Sequence, residues 1–146
     1  MRPSFLLKGD IMSKSIIYTA NNSAQNVAVN GTLNLGTVIR RYGCNLNLSG
    51  DAIQVAGTGY YDIDASITLA PTAAGNVTIT VYKDGLLIPG ATASETVAAA
   101  NDLVNLSIAA VVRENCGCCD GISNLTFVLT GTAASVTNIA VSVEKL

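Results

Sequence analysis

The sequence predicts an all-β fold, one domain built as a two-sheet antiparallel sandwich. Three observations carry the prediction. Apolar and polar residues alternate with period 2 over most of the chain, as strands with one buried face require. Turn residues break that alternation at short intervals. The composition, 49% apolar and only 12% charged over 146 residues, is sufficient for a buried core and too apolar for a disordered chain. Eight or more strands in about 130 residues suggest a sandwich. No amphipathic helical run occurs, and Ala98-Ala99-Ala100 reads as loop.

The weaker strands come first, at residues 16–19, 25–29, 32–39, 45–48 and 53–55. In the next strand Tyr61, Ile63, Ala65, Ile67 and Leu69 share one face, and Asp62, Asp64, Ser66 and Thr68 the other. Val77, Ile79 and Val81 then alternate with Thr78 and Thr80. That strand ends at Lys83-Asp84-Gly85, whose Asp-Gly pair is a tight-turn signal. Val104, Leu106, Ile108, Ala110 and Val112 oppose Asn105, Ser107 and Ala109. Leu125, Phe127 and Leu129 oppose Asn124, Thr126 and Thr130, and Ile139, Val141 and Val143 oppose Asn138 and Ser142. By the same alternation Ala109, Val128, Val136 and Ala140 fall on outward faces, which reads as contact with a neighbouring subunit. Turns are expected at Asn30-Gly31, Ser49-Gly50-Asp51, Gly57-Thr58-Gly59, Pro89-Gly90, Asn101-Asp102 and Gly131-Thr132.

The first eleven residues differ from the rest. Phe5-Leu6-Leu7 is too short for the apolar stretch of a signal peptide. Lys8-Gly9-Asp10 can be encoded by AAAGGAGAT, a purine-rich ribosome-binding sequence just upstream of the Met12 codon. Residues 1–11 are therefore expected to be translated leader, residues 12–30 an N-terminal anchor arm, and residues 31–146 the folded domain.

Composition also excludes function classes. Lys and Arg total 8 against 10 Asp and Glu, so no basic surplus exists to neutralise phosphates and nucleic acid is not an expected partner. His is absent, which removes Ser-His-Asp and Cys-His catalysis and every His-containing zinc site. Apolar runs such as residues 108–112 are far too short for insertion in a membrane as a helix. The expectation is a non-enzymatic protein with no cofactor.

The cysteines are the most unusual chemistry. Cys44 stands alone, while Cys116, Cys118 and Cys119 cluster in one predicted loop. A four-thiolate zinc site wants two Cys-x-x-Cys pairs, and a redox site wants a helix N-terminus beside a βαβ unit. Cys116 and Cys119 make one such spacing, Cys44 has no near partner and no βαβ setting is present, so the four are read as disulfide candidates, with free thiols as the other reading. Cys44 bonded to the cluster and a ring of inter-subunit bonds both remain open. Arg40-Arg41-Tyr42 is the one basic cluster, a solvated turn or a partner contact. Asp62 and Asp64 sit two apart on one strand face with no third acidic residue near in sequence, so calcium binding and general acid–base work are disfavoured. Tyr18, Tyr42, Tyr60 and Tyr82 are the candidates for stacking on a glycan.

The order of these strands resembles the tumour-necrosis-factor-like and complement-globular-head jelly rolls. Gly59-Tyr60-Tyr61-Asp62-Ile63-Asp64-Ala65-Ser66-Ile67 looks like that family's Gly-x-Tyr-x-hydrophobic central strand. The run from Val77 to Gly85 looks like the following strand and its Lys-Asn/Asp-Gly turn. The stretch from Leu103 to Arg113 looks like the next long strand, and that from Phe127 to Leu146 like the closing strand that returns through the sandwich centre. The resemblance covers roughly residues 27–146. It implies a two-sheet jelly roll that forms a homotrimer. More narrowly it points to the bacterial and phage branch, of virion decoration and fibre proteins and spore-surface tips. The chain has few aromatics and no Gly-X-Y stalk, which favours a short free-standing module. The resemblance implies a capsid decoration or head-fibre protein at the virion surface, made in the bacterial cytoplasm, with itself and a capsid protein (through the arm) as partners. The alternative is a receptor- or glycan-binding tip of a phage tail or of a bacterial or spore surface.

Overall fold

Alternation becomes strand wherever it was read from residue 59 onward. The computed structural model describes residues 14–114 and 122–146. Their regular elements are β1 (Ile16–Asn21), β2 (Gln25–Val27), β3 (Thr37–Tyr42), β4 (Leu46–Ser49), β5 (Ala52–Ala56) and β6 (Gly59–Pro71). They continue with β7 (Gly75–Lys83), β8 (Leu86–Val97), β9 (Val104–Glu114), β10 (Ile122–Thr130) and β11 (Ala134–Lys145). One sheet runs β3-β1-β11-β6-β9, with β2 pairing the start of β11. The other runs β4-β5-β10-β7-β8. Every pairing is antiparallel. We call these sheet 1 and sheet 2. The strand that ends the chain lies at the centre of sheet 1, between β1 and β6, as the resemblance implied.

The core fills the space between the sheets. Ile17, Ile63, Ile67, Val141 and Val143 from sheet 1 meet Ile53, Ile79, Val81, Leu125 and Phe127 from sheet 2, all at 1% exposure or less. Each buried side chain of this size contributes about 1.5–3 kcal/mol of transfer free energy. In β6 the expected inward set, Tyr61 to Leu69, is buried throughout. The Asp84-Gly85 turn joins β7 to β8 with both residues at positive φ, 52° and 82°, the type I′ geometry that matches the twist of a hairpin.

The structure departs from the sequence reading in several places. The stretch from Leu86 to Val97 is a twelve-residue strand, β8, where no strand was expected. It is an edge strand, so Pro89 costs no ladder bond. Ile88, Pro89, Gly90 and Ala91 stand opposite Val81 alone, and this large bulge erases the period-2 signal. The expected strand at 32–39 moves to β3. Before it, Leu33 and Leu35 are buried in a crossing segment whose Leu33 N–H donates to the Phe127 carbonyl at 2.8 Å. Gly36, at φ 85°, ends that crossing. A Cβ there would run into the Ala20 carbonyl oxygen.

Val136, expected outward, is 1% exposed. A bulge between Val136 and Asn138 skips Thr137 in the register with β6, and the Thr137 hydroxyl donates to the Thr68 carbonyl at 3.2 Å. Val136 and Ile139 therefore both face the core. Finally, much of the segment expected to stand apart as an arm, 12–30, lies inside sheet 1. β1 pairs β11 and β3, β2 pairs β11, and Ile17 and Val27 join the core. Apart from the buried Ser15, its Asn and Ser residues fall on the outward face and the connection between strands, which is why the segment reads as an arm.

Candidate interaction face

The outer face of sheet 1 gathers many of the residues singled out from sequence. Cross-strand pairing defines it row by row. One row is Arg40, Tyr18, Ser142, Asp64 and Ala109, crossing β3, β1, β11, β6 and β9. The next row is Tyr42, Ile16, Glu144, Asp62 and Val111. These residues alternate with buried neighbours such as Ile17, Ile63 and Val143, so both rows point away from the core. On the other side of the first row Ala20, Ala140, Ser66 and Ser107 pair across the same strands.

The face combines large exposed apolar groups with small ones. Ile16 and Tyr18 are each 37% exposed, Tyr42 52%, Tyr60 54% and Val111 55%. Between them lies a shallow groove of about 370 Å³ lined by Tyr18, Asp64, Ser66, Ser107, Ala140 and Ser142. The Arg113 guanidinium lies over the Tyr60 ring, 5.9 Å from its centroid, a favourable cation–π geometry. Asp62 and Asp64 were seen as an isolated pair in sequence. Pairing of β6 with β11 sets Glu144 directly opposite Asp62. Glu144 was missed because 82 residues separate partners that only the sheet brings together. Among the described residues, no group of His, Cys, Asp or Glu is placed to hold a metal ion.

Arg40, Arg41 and Tyr42 are not a turn. They form the second half of the edge strand β3, in which every residue is exposed. Arg41 Nε donates to the Leu46 carbonyl at 2.6 Å, and the Arg40 guanidinium reaches only the carbonyl of its own neighbour Ile39, at 3.1 Å. Cys44 is exposed in the β3–β4 connection and shares a groove with Asn45, Ala56 and Ile122. Cys116, Cys118 and Cys119 lie outside the described residues. Of the four tyrosines, Tyr18, Tyr42 and Tyr60 are on the sheet 1 face. Tyr82 sits on sheet 2, beside Thr126 and Leu87.

A second polar group lies at the end of the sandwich that holds β9's last residue. Glu114 is 4% exposed. It accepts a hydrogen bond from the Ser123 hydroxyl at 2.6 Å, and Lys83 Nζ is 3.7 Å away. Lys83 also donates to the Arg113 carbonyl at 2.7 Å. Nearby, the Tyr61 hydroxyl is 2.9 Å from both the Ala56 and Gly57 carbonyls and shares its one proton between them. Burial pushes the Tyr61 phenol above its ordinary pKa, and the Glu114 charge adds to the rise. A side-chain hydrogen bond with Asn45 pulls the other way. These contacts run between sheets 1 and 2 and serve as stitches, with no nucleophile–base pair among them.

No family model and no curated protein sequence matches the chain. Solved structures do. The chain superposes on murine APRIL with a TM-score of 0.69 at 14% identity, covering 91% of this chain and 99% of that one. The fold is the tumour-necrosis-factor-like jelly roll. The globular domain of zebrafish complement 1qA matches the same jelly roll with a TM-score of 0.62 at 8% identity, covering 90% of this chain and 95% of that one. So does PRD1 vertex protein P5, with a TM-score of 0.58 at 15% identity and coverage of 90% and 96%. The tumour-necrosis-factor-like jelly roll thus spans nearly the whole of these neighbours and includes a vertex protein. Within it, the candidate face is the outer surface of the sheet that contains both terminal strands, β1 and β11.

Proposed function

We propose that this chain is a non-enzymatic structural protein of a bacterial virus, a capsid decoration or short head-fibre module that works as a homotrimer on the virion surface. The observation that carries the reading is the outer face of sheet 1. It exposes Ile16, Tyr18, Tyr42, Tyr60 and Val111 together, a concentration that a free surface of this size does not favour and a subunit interface does. The chain is 12% charged, which fits a module that lives assembled. The likeness to a vertex protein favours the virion over other settings for this fold.

Light scattering coupled to size exclusion tests the assembly. A mass about three times the 15.0 kDa chain, with and without reductant, is expected for a non-covalent trimer. A monomer at all concentrations overturns it. Purified virions of the source virus should contain the chain in stoichiometric amount, and its absence from them overturns the location. Cys44 bonding to one of Cys116, Cys118 and Cys119 belongs to this reading. Cys44 shares a groove with Ile122, which is three residues along the chain from Cys119. Peptide mapping without reductant checks it. Exclusively free thiols in released particles would remove it.

One observation favours a second reading, a glycan-binding tip. The sheet 1 groove is lined by Tyr18 together with Asp64, Ser66, Ser107 and Ser142, an aromatic residue with polar residues around it. Glycan binding that Tyr18→Ala abolishes, on a chain that stays monomeric, would select this reading over the first.

A further inference from the structure

The outer face of sheet 2 divides into two parts. On β7 and β8 the polar side chains bond one another, as Thr78 bonds Ser94 and Ser94 bonds Asn76. On β4, β5 and β10 they do not. Asn47 stands opposite Gln54, and Gln54 opposite Asn124. Their strand neighbours Leu46, Ile53, Val55 and Leu125 are buried, so the three amides form one outward row across three strands. Among the described residues none of these amides bonds a protein group, whereas those of Asn21, Gln25, Asn45, Asn76 and Asn105 each do. Asn124 reaches Asp84 Oδ1 through its backbone N–H at 2.8 Å, which fixes that carboxylate at one end of the row. At the other end lies a groove of about 360 Å³, lined in part by Arg41, Asn47, Gln54, Ala56 and Ile122. Arg41 is anchored there by its Nε bond to the Leu46 carbonyl at 2.6 Å. Its terminal nitrogens meet no carboxylate among the described residues, whose one ion pair is Lys83–Glu114.

We infer that this row binds an oligosaccharide ending in an acidic sugar, with the sugar carboxylate on Arg41 and neutral sugars laid along Asn47, Gln54 and Asn124 toward Asp84. The site is separate from the sheet 1 groove and lies within one chain, so it remains accessible when sheet 1 is covered by assembly. An amide presents donors and an acceptor in one plane, which matches the adjacent hydroxyls of a sugar, each both donor and acceptor. Asp84, an acceptor only, takes hydroxyl protons and repels a carboxylate. The acidic sugar is therefore directed to the Arg41 end, where the guanidinium offers its planar fork. Anchoring through Nε means that little side-chain freedom is lost when the carboxylate arrives. Asn47 and Asn124 are two strand spacings apart, roughly 10 Å, about the reach of two linked hexoses. Small residues, Ala52 and Ala56, flank Gln54 on β5, so a flat ring can approach the row. Ile122, 54% exposed, offers the C–H face of a sugar an apolar contact. The amides are hydrated in the free chain, and sugar hydroxyls replace that water in kind.

An array of oligosaccharides in matched pairs tests the inference, each neutral glycan beside the same glycan ended by a uronic or sialic acid. The best pairs are re-measured in solution by calorimetry, where avidity plays no part. The protein should bind acid-ended members about tenfold more tightly than their neutral partners. Arg41→Gln should erase that preference, and sodium chloride at about 0.5 M should reduce it. Gln54→Ala, at the middle of the row, should weaken binding of every member by about tenfold or more. Asn47→Ala, on the edge strand β4, should act in the same direction and serves if Gln54→Ala fails to melt cooperatively. Tyr18→Ala should change none of this. Binding to no member of the array overturns the inference, as does equal binding of acid-ended and neutral partners. Binding that is lost with Tyr18→Ala and kept with Gln54→Ala and Asn47→Ala also overturns it, and assigns the glycan to sheet 1. None of these outcomes touches the assembly reading, which the solution mass decides.

Discussion

The two outer faces of this sandwich are built from the same alternating pattern and behave as opposites. On β7 and β8 of sheet 2, polar side chains satisfy one another. Thr78 bonds Ser94 at 2.9 Å, Thr80 pairs Thr92 at 3.3 Å, and Ser94 and Thr96 both donate to Asn76 Oδ1 at 3.1 and 3.2 Å. These are directly opposed or diagonal residues on β7 and β8, a hydroxyl ladder that needs nothing from outside. On sheet 1, Asn105 makes similar bonds to Ser66 and Thr68 at one end. Across the rest, charges stand unpaired beside exposed aromatic and aliphatic groups. The β7–β8 ladder completes itself and is a solvent surface, although Leu87 and Ile122 are exposed elsewhere on the same sheet. A face with separated charges and apolar surface is completed by something else.

The strongest way to break this contrast is to place the same charge on each face. Val111→Asp puts a carboxylate in the apolar part of the sheet 1 face, beside Asp62. It should reduce the assembly to monomer by light scattering. Thr92→Asp, exposed on sheet 2, should leave the mass unchanged. Equal responses from the two variants would end the distinction between the faces.

The next effect concerns the stitches that hold the two faces back to back. Glu114→Gln removes the charge that Ser123 and Lys83 both address. Lys83 is 27% exposed and can turn to water, so the loss is that of a charge-assisted hydrogen bond, about 1–3 kcal/mol in urea unfolding. It should fall equally on wild-type and dissociated chains, because the stitch lies within one subunit.

Much of this contrast was legible in the sequence. The inward sets of β6, β7, β9 and β10 follow strict alternation, and the Thr, Ser and Asn content of the outward positions was plain. What escaped detection depends on register. The Val136–Asn138 bulge breaks period 2 with no Gly or Pro to mark it, and the four residues bulged from β8 contain Pro89-Gly90, which reads as a turn rather than as a bulge within one strand. Glu144 and Asp62 become neighbours only through long-range pairing. Arg40-Arg41 read as a turn because two adjacent charges contradict alternation, and a fully exposed edge strand imposes none.

A smaller effect comes from pH. The fold holds Tyr61 in its neutral form and raises its pKa. The stability this group contributes is therefore complete below the phenol's ordinary pKa of about 10 and is lost as pH rises through the higher folded value. Tyr61→Phe should lower stability near neutral pH by about 0.5–1.5 kcal/mol, the usual net value of a hydrogen bond. It should also flatten the decline above about pH 10. An identical decline in both chains would show that Tyr61 does not report the join between the sheets.

The smallest effect is the most specific to the contrast. Thr78→Val removes one rung of the sheet 2 ladder, the bond to Ser94. Valine matches threonine in shape and strand preference. Ser94 keeps Asn76 as an acceptor, and water reaches the vacated side. The cost should be at most about 0.5–1 kcal/mol, with no change in assembly mass or in its salt dependence. The acidic groups of the sheet 1 face offer no equivalent substitution, because among the described residues Asp62, Asp64 and Glu144 have no ion-pair partner within the chain to lose. If Thr78→Val altered the assembly mass, sheet 2 would belong to the interface, and the hydroxyl ladder would be a contact surface in its own right.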